Sequence, residues 1–354
     1  MASPKSLQQW FRHTFTPFIA NAPMFGSADY HLASAVTKAG GLGFIGGGFD
    51  FTTETTQLTK LNEQLGKARS ELGSIPSLTS LPIGVGFITF NPTGFIQNAI
   101  PVLQSHRVAG IWLSFPKSDE DHLLIIEAIK KARAEGDWDV RVFVQVGTIQ
   151  SARVAVQQGA DVLVVQGSDA GGHQWAQGAS LISLLPEVRD MLHEMGASDV
   201  AVLGAGGIVD GRGCVAALGL GADGVVMGTR FLVTTECPTP STFKHAIISG
   251  SDGGVSTVKS TRHDVFQSTD VFPRQYDGRA IIGISYSESQ LGASDDDVIQ
   301  RYKEAVANGE DHRRTVWAGT SIGSIKELVS VSDLIQGIHQ EVRSTLASLS
   351  QKMQ

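Results

Sequence analysis

Between Pro17 and Met227 the chain alternates two kinds of hydrophobic pattern. Short runs of uninterrupted apolar residues begin near Pro17 (PFIAN), Leu42 (LGFIG), Pro82 (PIGVGFI), Gly110 (GIWLSF), Arg141 (RVFVQV), Asp161 (DVLVVQ), Val200 (VAVLGA) and Gly224 (GVVMG). They do not alternate apolar with polar residues, so they predict strands buried on both faces, as in a parallel sheet covered by helices. Between them, apolar positions recur at helical spacing and predict helices over 28–39, 53–70, 93–105, 119–134, 148–158, 180–195 and 209–219. Gly-Ala-Asp occurs at 159–161 and again at 221–223, each time between a predicted helix and a predicted strand. Such a turn uses glycine to end the helix. Eight β-α alternations fit a (β/α)8 TIM barrel better than a doubly wound sheet, which closes with fewer strands around one switch point. Periodicity alone leaves the second architecture open.

The regular pattern stops after Met227. Residues 250–290 are rich in Gly, Ser and Thr, with strand-like pieces STVKST and AIIGIS, and helical stretches follow at 294–308 and 323–349. This predicts a C-terminal elaboration or lid domain near the barrel mouth. Residues 1–235 and part of 310–354 would form the barrel, and 236–310 an inserted small subdomain. The run Ser294-Asp295-Asp296-Asp297 has the composition of a helix N-cap with a favourable first-turn charge.

The 354 residues, 42% of them hydrophobic, suffice for a full core. A net charge of -7 argues against nucleic acid or an anionic membrane as the main partner. The two cysteines, Cys214 and Cys237, form no metal-binding spacing, so a disulfide framework, a structural zinc or another metal site is not expected. Cys214 falls on a predicted helix face and reads as a small buried apolar residue. The N-terminus lacks the apolar region of a secretion signal, and no run of 18 apolar residues occurs. The expectation is a cytoplasmic monomer or homodimer.

In a barrel the chemistry lies where strands end at their C-termini. Strand one is followed by Asn21-Ala22-Pro23-Met24, a rigid turn whose backbone could face a flat ring or be an ordinary βα turn. Strand six is followed by Gln166-Gly167-Ser168-Asp169-Ala170-Gly171-Gly172-His173, a glycine-rich stretch ending in a histidine able to move protons near neutral pH. Asp169 is a possible partner for it. The ordinary alternative is a solvated loop histidine. Strands seven and eight are followed by Gly204-Ala205-Gly206-Gly207 and by Met227-Gly228-Thr229. Barrel phosphate sites are built from these two loops, so this pair predicts phosphate binding. No Walker A loop occurs. The glycines at 40–48 are read as freeing space for a ligand. Trp112, Phe115, Trp175 and Trp317 read as core or pocket wall.

These motifs resemble the nitronate monooxygenase family, formerly 2-nitropropane dioxygenases. The resemblance runs from about Pro17 to Met227 and resumes at Trp317-Ala318-Gly319. QGSDAGGH (166–173) is similar to the family's Gln-Gly-x-Glu-Ala-Gly-Gly-His, with Asp169 in place of Glu. GAGGIVDGRG (204–213) and LGADGVVMGTRF (220–231) carry the rest. The resemblance implies non-covalent FMN, with Ala22, Pro23 and Met24 along the ring and Gln166 at its polar edge. Gly171 and Gly172 would lie beside it. Ala205, Gly206, Gly207, Gly228 and Thr229 would surround the phosphate. It implies His173 as catalytic base in the oxidation of alkyl nitronates, and less efficiently nitroalkanes, by O2. Gly84-Val85-Gly86-Phe87, Ser114-Phe115-Pro116-Lys117 and Gln174-Trp175-Ala176-Gln177 depart from the family's best-known subgroup, at positions that the resemblance implies would face the substrate. Two other readings stay open: an FMN-dependent reductase using NAD(P)H, such as an enoyl-thioester reductase, and a non-catalytic flavin or phosphate binder.

Overall fold

The computed structural model describes residues 5–53, 55–73, 80–269 and 271–353; Glu54, inside the predicted helix 53–70, and Asp270, inside the predicted insertion, lie outside them. The eight apolar runs form the strands β1 (Phe18–Asn21), β2 (Gly43–Gly48), β3 (Leu81–Ile88), β4 (Val108–Ser114), β5 (Arg141–Val146), β6 (Val162–Gln166), β8 (Ala201–Ala205) and β9 (Gly224–Met227). All pair in parallel, in the order β1-β9-β8-β6-β5-β4-β3-β2. A parallel bridge between Ala20 and Leu42 joins the two ends into a barrel, which decides against the doubly wound sheet.

The seam between β1 and β2 carries few backbone bonds, and a side chain supplements them. The fully buried Asn21 accepts from the Phe44 N–H at 2.8 Å and donates to the Phe44 carbonyl at 2.8 Å. Its amide mimics a strand's peptide group and satisfies backbone polar groups that have no water to turn to.

Successive residues of each run point to opposite faces, and both faces are apolar because both are covered. The inner face carries Phe18, Ala20, Phe44, Trp112, Phe143, Leu203 and Val226. The rings of Phe44 and Phe143 meet edge to face at 5.1 Å. Leu7 and Phe11, on and just after the helix Lys5–Trp10, join this inner cluster. The outer face packs against the helices through a second and larger cluster that includes Ile19, Val85, Val144, Val165, Val188 and Val225.

The repeated Gly-Ala-Asp does the same work twice. Gly159 takes the left-handed conformation at a helix end (φ 89°), and Gly221 does so one residue beyond one (φ 107°). Asp161 then accepts from the N–H of Val142, and Asp223 from that of Val202, both at 2.8 Å. Arg133 and Arg189 pair with the same two carboxylates.

Every predicted helix is present, with ends moved by a few residues. The largest shift is at 323–349, where the helix is Val331–Lys352. Ser330 caps it by accepting from the Asp333 N–H, and Thr320–Ser324 is a separate 3-10 turn. Ser294 caps Asp295–Ala307 as the acidic run predicted. The glycine-rich stretch after β6 is not a plain loop. Gly172–Trp175 forms a strand, β7, antiparallel to β11 (Tyr276–Ile281), which pairs in turn with β10 (Thr257–Ser260). Its apolar content is too low and its length too short to stand out in the sequence, and pairing alone makes it a strand.

Candidate active site

A cavity of about 600 Å³ opens at the C-terminal ends of the barrel strands. All twelve residues singled out from the sequence line it: Ala22, Pro23, Met24, Gln166, Gly171, Gly172, His173, Ala205, Gly206, Gly207, Gly228 and Thr229. They come from four separate stretches of chain, which the barrel brings to one rim.

One wall consists of backbone. Gly206 and Gly207 both take positive φ, 99° and 73°, a turn that side chains disfavour. Among the described residues, the N–H groups of Gly206, Gly207, Gly228 and Thr229 donate to no protein acceptor. Backbone donors left unpaired beside a cavity call for an anionic or water partner. Gly228 is informative for another reason. A Cβ built there would touch only Ala22 Cβ at 3.6 Å and Met24 Sδ at 3.7 Å, both ordinary contacts. The protein's own packing therefore leaves room for a side chain that the sequence omits. The tail segment fixes both turns: Ser321 donates to the Gly207 carbonyl at 2.6 Å, and the Gly319 N–H donates to Thr229 Oγ1 at 3.0 Å. Wall and donors thus fit a phosphate-bearing cofactor. No Lys or Arg among the described residues lines the cavity, so an anion there would be held by neutral donors.

Gly171 has a different reason to be glycine. A Cβ there would lie 2.4 Å from the Ala318 carbonyl carbon, so it makes room for the chain itself and not for a ligand. The glycines of 40–48 also divide: Gly43 is packed against the Ala33 backbone, whereas Gly48 lines the cavity.

The opposite wall carries His173, on β7 with its register partner Gly278. Asp169, expected as a possible partner, does not reach it. The Asp169 carbonyl accepts from the Thr320 N–H at 3.0 Å, and its charge acts on Arg279. Four residues along a strand turn are not neighbours on one face. The partner is Asp264, 91 residues away, with its Oδ1 2.9 Å and Oδ2 3.1 Å from His173 Nε2. Asp264 sits on the short helix Arg262–Gln267 and is buried. Beside it, burial pushes the neighbouring His263 below its ordinary pKa, and that ring contacts the Val258 carbonyl at 3.2 Å. The imidazole of His173 stacks on Phe272 with ring centroids 3.7 Å apart and planes 9° from parallel, and Trp317 lies at 4.8 Å. Gln166 donates to the His173 carbonyl at 3.1 Å and accepts from Gln145 at 2.8 Å, tying β7 to the barrel.

Sequence reading missed Asp264 and Phe272. Both lie in the irregular tail, where nothing in composition or spacing marks them. The four aromatics read as core or wall keep that role. Trp112, Phe115 and Trp317 line the cavity, and Trp175 packs edge to face on Tyr276 at 5.2 Å. Phe115 takes a positive φ of 59° and packs against Phe272 at 5.7 Å, so backbone strain is held where the His173 ring is braced.

The TIM barrel thus brings a histidine and a row of free backbone donors to one cavity. The family model for nitronate monooxygenase matches residues 127–341. A nitronate monooxygenase of Neurospora crassa is 41% identical, over 98% of this chain and 95% of that protein. The chain belongs to the nitronate monooxygenase family. Two solved structures share the fold: FabK from Thermotoga maritima, with a TM-score of 0.74 at 22% identity and 98% of each chain covered, and a nitroalkane oxidase from Streptomyces ansochromogenes. The latter has a TM-score of 0.71 at 23% identity, covering 98% of this chain and all of that one (100%).

Proposed function

We propose that the protein oxidises alkyl nitronates, and nitroalkanes less efficiently, with O2 to a carbonyl compound and nitrite, using bound FMN. The observation that carries this is one cavity with unpaired backbone donors at 206–207 and 228–229 on one side and a carboxylate-held histidine on the other. Gly206, Gly207, Gly228 and Thr229, with Ala205, would hold the phosphate, and Ala22, Pro23 and Met24 would lie along the ring. Gln166 would sit near its polar edge, with Gly171 and Gly172 beside it. The redox chemistry belongs to the cofactor when bound, and the protein supplies position and proton transfer.

His173 acts as the base. A neutral imidazole takes the proton from the carbon alpha to the nitro group, and the C–H electron pair becomes the C=N bond of the nitronate. A substrate supplied as nitronate skips that step. Phe49, Phe90, Phe243, Ile247, Phe272 and Val316 make the surrounding wall apolar, which favours a small alkyl substituent. The absence of lining Lys and Arg among the described residues favours one diffuse charge over a diphosphate-bearing reductant.

The test is aerobic nitrite release from ethylnitronate by the FMN-loaded protein. His173→Ala should retain FMN and lose turnover of neutral nitroethane by about 10²-fold or more. Unchanged turnover in that variant overturns the assignment of the base. Rapid anaerobic bleaching by NADPH, with none by nitronate, would make the protein a reductase instead. Protein that takes up no FMN would refute the cofactor.

A further inference from the structure

The imidazole of His173 has two nitrogens, and only one is free to serve as a base. Nε2 lies within 2.9 and 3.1 Å of the two carboxylate oxygens of Asp264. No other side-chain donor among the described residues reaches that carboxylate, which is 5% exposed. The other acid acting on the histidine, Asp277, is engaged by Lys259 Nζ at 3.4 Å. An ionised carboxylate only accepts, so Nε2 must carry the hydrogen and the lone pair must sit on Nδ1. The ring has little freedom to exchange the two. Phe272 covers one face at 3.7 Å, and Trp317 stands against it at 4.8 Å. Gly319, two residues beyond Trp317, is itself bonded to Thr229.

We propose that Asp264 is a positioning residue that fixes His173 as the Nε2–H tautomer, so that Nδ1 is the atom that takes the substrate's proton. The proposal rests on the nitronate reading for its substrate and on the observed pair for its geometry. When the proton moves from carbon to Nδ1, the ring becomes positive on both nitrogens. The buried carboxylate already in contact balances that charge without reorganising. Asp264 borders the cavity, but its carboxylate is engaged by the ring and acts through it. The insertion that supplies it therefore completes the proton-transfer site instead of merely covering the cavity.

Two measurements decide it. The first compares neutral nitroethane, which must lose a proton, with preformed ethylnitronate, which need not. Asp264→Asn should lower kcat/KM for nitroethane by about 10²-fold or more. For the nitronate the loss should stay below about 10-fold and fall on KM, because only binding beside the ring changes. Asp264→Glu restores a carboxylate and should recover much of the nitroethane loss. The second is 15N NMR of the FMN-loaded, histidine-labelled protein, with the His173 signals identified by their disappearance in His173→Gln. The wild type should carry its hydrogen on Nε2, and Asp264→Asn should show a fraction with it on Nδ1. A wild-type hydrogen on Nδ1, or equal losses for both substrates, overturns the proposal. If the wild type turns over neither substrate, the nitronate reading fails, while the NMR result still decides what Asp264 does.

Discussion

Replacing Gly228 with alanine separates a glycine kept for the ligand from one kept for the fold. Its φ is −103°, which any residue adopts, and the new methyl would meet Ala22 Cβ and Met24 Sδ at 3.6 and 3.7 Å. No strain and no clash arise, so the apo protein's stability should change by no more than about 0.5 kcal/mol. The methyl does fill space beside an N–H that has no protein acceptor. If a phosphate oxygen takes that N–H, displacing it loses a hydrogen bond to a charged group, about 1.5–3 kcal/mol, or roughly 10- to 150-fold in FMN affinity. The assay is fluorescence titration of FMN into stripped protein, paired with thermal melts of the apo form. Gly171→Ala is the contrasting control: its Cβ would lie 2.4 Å from Ala318 backbone, so overpacking should lower apo stability by about 1–3 kcal/mol. Wild-type FMN affinity in Gly228→Ala would refute the placement of the phosphate, and a large drop in its apo melting temperature would refute the reading of the glycine.

Asn21→Leu should cost about 3 kcal/mol or more in urea unfolding, because it strands the buried N–H and carbonyl of Phe44 at the barrel seam; a loss below about 1 kcal/mol would mean the seam holds without it. His122, buried against Thr89 at 2.7 Å, is pushed by burial from 6.5 down to about 3. It stays neutral when folded and protonates below 6.5 when unfolded, so its contribution is full above that pH and is lost as pH falls toward about 3. At pH 5 the loss is about 2 kcal/mol, and His122→Gln should flatten the stability difference between pH 7 and pH 5 by that amount; parallel pH dependences would contradict it. Burial raises the Cys214 thiol to about 12 and also raises that of Cys237, so neither should react with a thiol reagent near pH 8 until the protein is denatured. Rapid labelling of the native protein would show that the site opens.

The sequence by itself determined eight buried strands and the glycine turns on one wall of the cavity, and the bridge between Ala20 and Leu42 closed those strands into a barrel. Eight apolar runs with no polar alternation can be satisfied only by strands covered on both faces. Where the next helix or turn starts depends on neighbouring residues, so Gly159, Asp223 and Ser294 were legible one by one. The turn at 206–207 was legible for the same reason, since a left-handed pair of glycines is a local requirement, and Gly228-Thr229 was legible as a second small-residue turn directly after a strand. The tertiary structure alone decided what His173 faces. Its expected neighbour Asp169 is close in sequence and turned away, and its actual partner Asp264 stands 91 residues off on a six-residue helix without a distinguishing pattern. The strand that carries His173 exists only because β11 pairs with it. Local propensity is written in adjacent residues, whereas a charge pair across 91 residues depends on where folding brings two distant segments together, and one chain's spacing holds no record of that distance.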